Sequence, residues 1–111
     1  MKTLVIALGG NALSPQGGSG AYKALYARIQ EVCRQIAPLA KTYKLVIVSG
    51  SGPQIGNLVL QNEEARKRVP PLPLDVLDAE VEGELGYMIQ QSLENASHLR
   101  RKVATVVTQV L

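Results

Sequence analysis

Val48-Ser49-Gly50-Ser51-Gly52-Pro53-Gln54-Ile55-Gly56 decides how the rest of the chain reads. An apolar run, Leu45-Val46-Ile47-Val48, stops at a Gly-x-Gly, and a proline then opens a stretch with helical spacing. Short β-branched runs bounded by glycine read as buried strands. Glycine permits positive φ and lets the backbone approach a ligand closely. Proline suits the first turn of a helix, where its missing N–H costs nothing. The stretch is therefore expected to form a strand, a glycine turn and a helix N-terminus with outward N–H groups, a natural seat for an anion.

Toward the amino terminus, Thr3-Leu4-Val5-Ile6-Ala7-Leu8 is a second apolar run, closed by Gly9-Gly10. Its unbroken hydrophobicity predicts a central strand covered on both faces. Asn11 follows, with an amide able to donate and accept hydrogen bonds at a loop tip. Residues 14–20, Ser-Pro-Gln-Gly-Gly-Ser-Gly, read as a loop. From Ala21 to about Tyr43, Leu25, Ile29, Val32, Cys33 and Ile36 recur at three and four. That spacing predicts a helix, which Pro38 kinks or ends near Ala37.

Toward the carboxyl terminus, helical spacing from Ile55 to about Arg68 is halted by Val69-Pro70-Pro71-Leu72-Pro73. The next helix, capped near Asp75, carries Val81, Leu85, Met88, Ile89 and Leu93 and runs to about Ala96. Gly83 and Gly86 lie inside it, where each costs up to about 1 kcal/mol against alanine. Close approach of the glycine loops is the expected reason. Residues 102–111, Lys-Val-Ala-Thr-Val-Val-Thr-Gln-Val-Leu, read as a third strand. Strands alternating with helices predict an α/β fold, a three-layer α/β/α sandwich with a mainly parallel sheet. The sandwich is expected to be incomplete, because a buried-looking last strand has no covering helix after it.

A chain of 111 residues is one domain at most. Its net charge of +3 is mild, and it has no Trp, no Phe and only dispersed tyrosines. A basic face with stacking aromatics is the footprint of a nucleic-acid binder, so no nucleic-acid partner is expected. Cys33 stands alone in a helical apolar stripe, as a buried structural thiol in a reducing compartment. No signal sequence precedes the first strand and no apolar run is long enough for a bilayer, so a cytoplasmic protein without membrane contact is expected.

In open α/β sheets, ligands sit beyond the carboxyl ends of the strands. If the strands ending at Leu8 and Val48 are neighbours, Gly9-Gly10-Asn11 and Gly50-Ser51-Gly52 face one crevice. Their N–H groups would form an electropositive nest for a phosphate, a carboxylate or a related small anion. Common nucleotide motifs are absent. No lysine follows Gly52 or Gly56 as a Walker loop requires, and Gly50, Gly52 and Gly56 are spaced one residue too long for the dinucleotide fingerprint.

Ala7-Leu8-Gly9-Gly10-Asn11-Ala12-Leu13 together with Gly50-Ser51-Gly52-Pro53-Gln54-Ile55-Gly56-Asn57 resembles the carbamate kinases of the amino-acid kinase superfamily. Gly83-Glu84-Leu85-Gly86-Tyr87 with Gln91, and Ala104 to Val110, are similar to further blocks of that family in the same order. The resemblance spans the whole chain but only the amino-terminal part of the family's fold. It implies reversible phosphoryl transfer, carbamoyl phosphate plus ADP giving ATP and carbamate, with Mg2+ accompanying the nucleotide. It implies that Gly9, Gly10 and Asn11 hold carbamoyl phosphate, with Gly10 and Asn11 as the catalytic residues within this chain. Gly50, Ser51 and Gly52 would flank the transferred phosphoryl group. A homodimer is implied as well.

Two departures stand out. The family usually reads His-Gly-Asn-Gly-Pro-Gln where this chain has Ser49-Gly50-Ser51-Gly52-Pro53-Gln54. The family's catalytic lysines and nucleotide half lie beyond residue 111, so the segment alone is expected not to catalyse. Two alternatives follow: a kinase of another small acid, and a non-catalytic anion-binding or dimerisation module. Other conspicuous residues read plainly. His98 suits a helix end, and Arg66-Lys67-Arg68 is a solvated helix end with a weaker lid reading. Asp75, Asp78, Glu80, Glu82 and Glu84 read as solvated carboxylates, and Tyr87 and Met88 as core or subunit contacts.

Overall fold

The computed structural model of the chain describes residues 1–13, 21–97 and 101–110. The expectations for the loop at 14–20, for His98 and for the Asn11 amide side chain lie outside what is described. Strands β1 (Lys2–Leu8) and β2 (Tyr43–Ser49) pair in parallel, from Lys2 opposite Tyr43 to Leu8 opposite Ser49. The helices are α1 (Gly10–Leu13), α2 (Tyr22–Ile36), α3 (Gly52–Glu64) and α4 (Leu74–Ser97).

The stripe Leu25, Ile29, Val32, Cys33 and Ile36 forms the buried face of α2, as its spacing predicts. It packs against Val81, Leu85, Met88, Ile89 and Leu93 of α4, with Leu8, Ile6, Leu45 and Ile47 of the sheet closing the core. Burying each such side chain is worth roughly 1.5–3 kcal/mol. Pro38 acts as expected: α2 ends at Ile36 and a 3-10 turn, Ala37–Lys41, takes the chain into β2. Tyr87 points outward while Met88 joins the core. Asn62 donates to Leu58 O at 2.9 Å and accepts from Leu72 N at 3.1 Å, which fastens the proline stretch to α3.

The fold is α/β with a parallel sheet, and among the described residues it has two layers. The sheet face opposite the helices is uncovered: Val5, Val46 and Val48 are 62%, 46% and 55% exposed. The reading of β1 as covered on both faces is corrected here. An unbroken apolar run says that both faces suit burial, whereas the described residues supply one covering layer.

Residues 101–110 do not form the expected third strand. They are unpaired with the sheet, and the Val103 and Thr108 N–H groups are given to α4 side chains instead. Val103 N donates to Glu94 at 3.1 Å, Thr105 Oγ1 to Gln90 at 3.0 Å and Thr108 N to Glu82 at 3.1 Å. This segment also explains Gly86: a Cβ there would overlap Thr105. A Cβ at Gly83 would meet nothing within 4 Å, so neither helix glycine is required by the glycine loops. Asp75 lies in the first turn of α4 rather than capping it, and Pro73 O receives Val76 N and Leu77 N, both at 3.1 Å.

Candidate anion site at the carboxyl ends of the strands

The two glycine loops are neighbours because β1 and β2 are neighbours. Leu8 and Ser49 end the strands opposite one another, and Gly50 N donates to Leu8 O at 3.2 Å. From there each loop turns directly into a helix. Gly9 O accepts Ala12 N at 3.0 Å to start α1, and Ser51 O accepts Ile55 N at 3.0 Å to start α3. Gly9, Gly10, Asn11, Gly50, Ser51 and Gly52 are thereby gathered at one end of the sheet.

Helix α3 carries no acidic residue in its first turn, and Pro53 fills one of the first positions. Its aligned peptide dipoles place roughly half a positive charge at that end. Ser51 precedes the helix at φ −141° and ψ 17°, yet its hydroxyl makes no cap bond. Instead Ser51 Oγ donates to Asp78 Oδ1 at 3.5 Å.

The glycines of the two loops are not there for positive φ. None of Gly9, Gly10, Gly50, Gly52 and Gly56 has φ in that region, and a Cβ on each would meet nothing within 4 Å. What they leave is open space over the Gly10 and Gly52 backbone, which fits an anion, whereas the Gly50 N–H expected in the nest is given to Leu8 O. For magnesium the fit is lacking. No group of three or more His, Cys, Asp or Glu side chains among the described residues is arranged to hold a metal. Lys44, second residue of β2, lies at the far end of the strand from both loops.

One site neighbour, Arg28, is not singled out by the sequence. Arg28 Nε donates to Ala12 O at 2.7 Å, tying α1 and the first glycine loop to α2. Asp78 and Glu82 are half-buried and hydrogen-bonded rather than solvated, which corrects their earlier assignment. Asp78, Glu82, Gly86, Gln90 and Glu94 recur every four residues along α4, but their partners Ser51, Thr105, Thr108 and Val103 come from elsewhere in the chain. Asp75, Glu80 and Glu84 are exposed, as expected. Cys33 is fully buried and donates to Ile89 O at 3.8 Å, and burial pushes its thiol pKa up to about 11.

Residues 2–110 match the model of the amino acid kinase family. The chain belongs to the amino acid kinase family. Within that family it is 49% identical over 110 residues to the carbamate kinase of Escherichia coli strain K12, covering 99% of this chain and 36% of that protein. It is 42% identical over 116 residues to the carbamate kinase of Pyrococcus furiosus, covering 99% of this chain and 37% of the relative. Among solved structures, the carbamate kinase from Giardia lamblia bound to AMP-PNP superposes with a TM-score of 0.84 at 38% identity. That match covers 93% of this chain and 36% of the Giardia chain. The 111 residues thus span a little over a third of the length of these family members.

Proposed function

We propose that the chain supplies the carbamoyl phosphate side of a carbamate kinase-type phosphotransferase. The observation that carries this reading is the Gly50–Leu8 backbone bond. It sets two glycine loops side by side at the carboxyl ends of parallel strands, next to the N-terminus of α3. In the reaction, the bond between phosphorus and the carbamoyl oxygen breaks while an ADP β-phosphate oxygen bonds to phosphorus, giving ATP and carbamate. Charge spreads over the three phosphoryl oxygens during transfer, and fixed N–H donors aimed at those oxygens are what catalysis requires. Gly9, Gly10 and Asn11 hold the carbamoyl phosphate, Gly10 and Asn11 lie nearest the chemistry, and Gly50, Ser51 and Gly52 flank the moving phosphoryl group. ADP and its Mg2+ are held by the part of the family fold outside these residues, so the 111 residues bind but do not turn over. A homodimer in the cytoplasm completes the proposal.

One observation favours a second reading, a kinase of another small acid. The Ser51 hydroxyl faces Asp78, and it stands where the family usually carries an amide. A third reading, a non-catalytic anion-binding module, is separated by joining the 111 residues to the remaining part of the E. coli carbamate kinase, which forms ATP only under the first reading; the site itself is tested on the chain alone. Inorganic phosphate titrated into the labelled chain is expected to shift the Gly10 and Gly52 amides, while ADP with carbamoyl phosphate gives no ATP. No phosphate-dependent shift at either loop overturns the site. ATP formed by the 111 residues alone overturns the division of labour.

A further inference from the structure

Between Gly50 and Gly52, Ser51 brings a hydroxyl to the second glycine loop. A hydroxyl has a single proton to donate, and a carboxylate accepts hydrogen bonds without donating any. The bond from Ser51 Oγ to Asp78 Oδ1, at 3.5 Å, therefore commits that proton to α4. The oxygen keeps its lone pairs. It makes no cap bond to the first turn of α3, and among the described residues it accepts no hydrogen bond. An amide, which the family usually carries at this position, both donates and accepts. In this chain the loop instead has two surfaces of opposite character. The Gly52 backbone and the N-terminal end of α3 favour negative oxygens. Ser51 Oγ and the half-buried Asp78 carboxylate offer acceptors alone.

We propose that Ser51, oriented by Asp78, is a specificity-determining residue that reads an N–H group on the acyl end of the substrate. The inference rests on the carbamoyl phosphate reading above and adds what selects that ligand at this site. Phosphoryl oxygens are acceptors and carry the negative charge. An acceptor surface repels them and turns the phosphoryl group toward the backbone of Gly10 and Gly52. The acyl end of the ligand is left against Ser51 Oγ. An amino group on the acyl carbon places N–H there and completes a hydrogen bond, whereas a methyl group of similar size leaves the lone pairs unmet. Carbamoyl phosphate and acetyl phosphate differ by that one group. A site built to bond a substrate N–H rejects the analogue lacking it more sharply than an apolar pocket rejects a change of size. Asp78 acts through Ser51 as a positioning residue. Without it the hydroxyl proton is free to turn to a phosphoryl oxygen, and the two acyl ends are told apart less well.

The test titrates inorganic phosphate, carbamoyl phosphate and acetyl phosphate separately into the labelled chain, with the Gly10 and Gly52 amide shifts giving each affinity. Carbamoyl phosphate is expected to bind about tenfold more tightly than acetyl phosphate, the worth of one good hydrogen bond. In Ser51→Ala the two are expected to come within about twofold of each other, and in Asp78→Ala the ratio is expected to fall about threefold or more. A merely structural role for either residue changes all three affinities alike and keeps the ratio. A preference that survives either substitution therefore overturns the inference, as do equal affinities in the native chain. Both of those results leave the anion site standing where inorganic phosphate shifts the loop amides. No phosphate-dependent shift at either loop overturns the site and the inference together.

Discussion

Thr105 sits in the notch that Gly86 leaves in α4: a Cβ at Gly86 would overlap Thr105 Cγ2 and lie 3.0 Å from its Oγ1. Gly83, three residues earlier on the same helix, faces nothing within 4 Å. The pair makes a matched experiment. Gly83→Ala should stabilise the chain by about 0.5–1 kcal/mol through helix propensity. Gly86→Ala should lose that gain and cost about 1–3 kcal/mol through overpacking. Urea midpoints read both, and Thr105→Gly should restore Gly86→Ala.

The loop glycines predict the opposite separation, between stability and binding. A Cβ at Gly50 or Gly52 meets no protein atom, so Gly52→Ala should leave the urea midpoint within the range of about 0.5 kcal/mol typical of tolerant sites. The added methyl occupies the space over the backbone donors, and phosphate affinity should fall about tenfold, the loss of roughly one good hydrogen bond. Equal affinity in the variant would remove the ligand as the reason for glycine there.

Asp78 places a carboxylate beside the second loop through Ser51. Its charge opposes an anion at the site, and at water-like screening over several ångströms the repulsion is worth about 0.5 kcal/mol. Asp78→Asn should therefore tighten phosphate binding about two- to threefold, an effect that fades with added salt. Ser51→Asn, which restores the family's amide, should raise carbamoyl phosphate turnover in any chain carrying the nucleotide half. A fall in turnover with folding retained favours a different small-acid substrate.

Cys33 predicts a pH dependence. Its thiol pKa is raised by burial from 9.0 to about 11 in the folded chain. The folded state thus keeps a proton that the unfolded state gives up. The corresponding stability is present below pH 9 and is lost as the pH rises from 9 toward 11. Alkylation of the folded chain should be slow at pH 8 and accelerate with urea. Cys33→Ala should flatten the alkaline slope, which denaturation midpoints between pH 8 and pH 11 would show.

Core packing supplies the large stability effects. Ile29 is fully buried and Leu85 is 2% exposed, so truncation of either to alanine should cost about 2–5 kcal/mol. Val5→Thr, on the uncovered sheet face at 62% exposure, should change stability by less than about 0.5 kcal/mol. Calorimetry ranks the three.

Short-range pattern was enough for much of this chain. The i, i+3, i+4 stripe of α2, the stop at Pro38 and the strand–glycine–helix junctions at Leu8 and Val48 are legible in sequence, because each depends on residues within a few positions of one another; α3, expected to run to about Arg68 and be halted by the prolines, ends already at Glu64 and turns through 65–68. The pairing of both glycine loops at one end of the sheet followed once the strands were taken as parallel neighbours. Only the tertiary structure decided the rest. Whether an apolar run is covered on one face or two depends on what lies opposite, so the unbroken apolar runs of β1 and residues 102–110 suggest more burial than the described structure gives them. Whether a carboxylate is solvated depends on what docks against it, so Asp78 and Glu82 gained partners that local pattern does not contain. Gly86 shows the same limit: the sequence marks a close approach there, and only the packing of Thr105 against α4 tells what approaches.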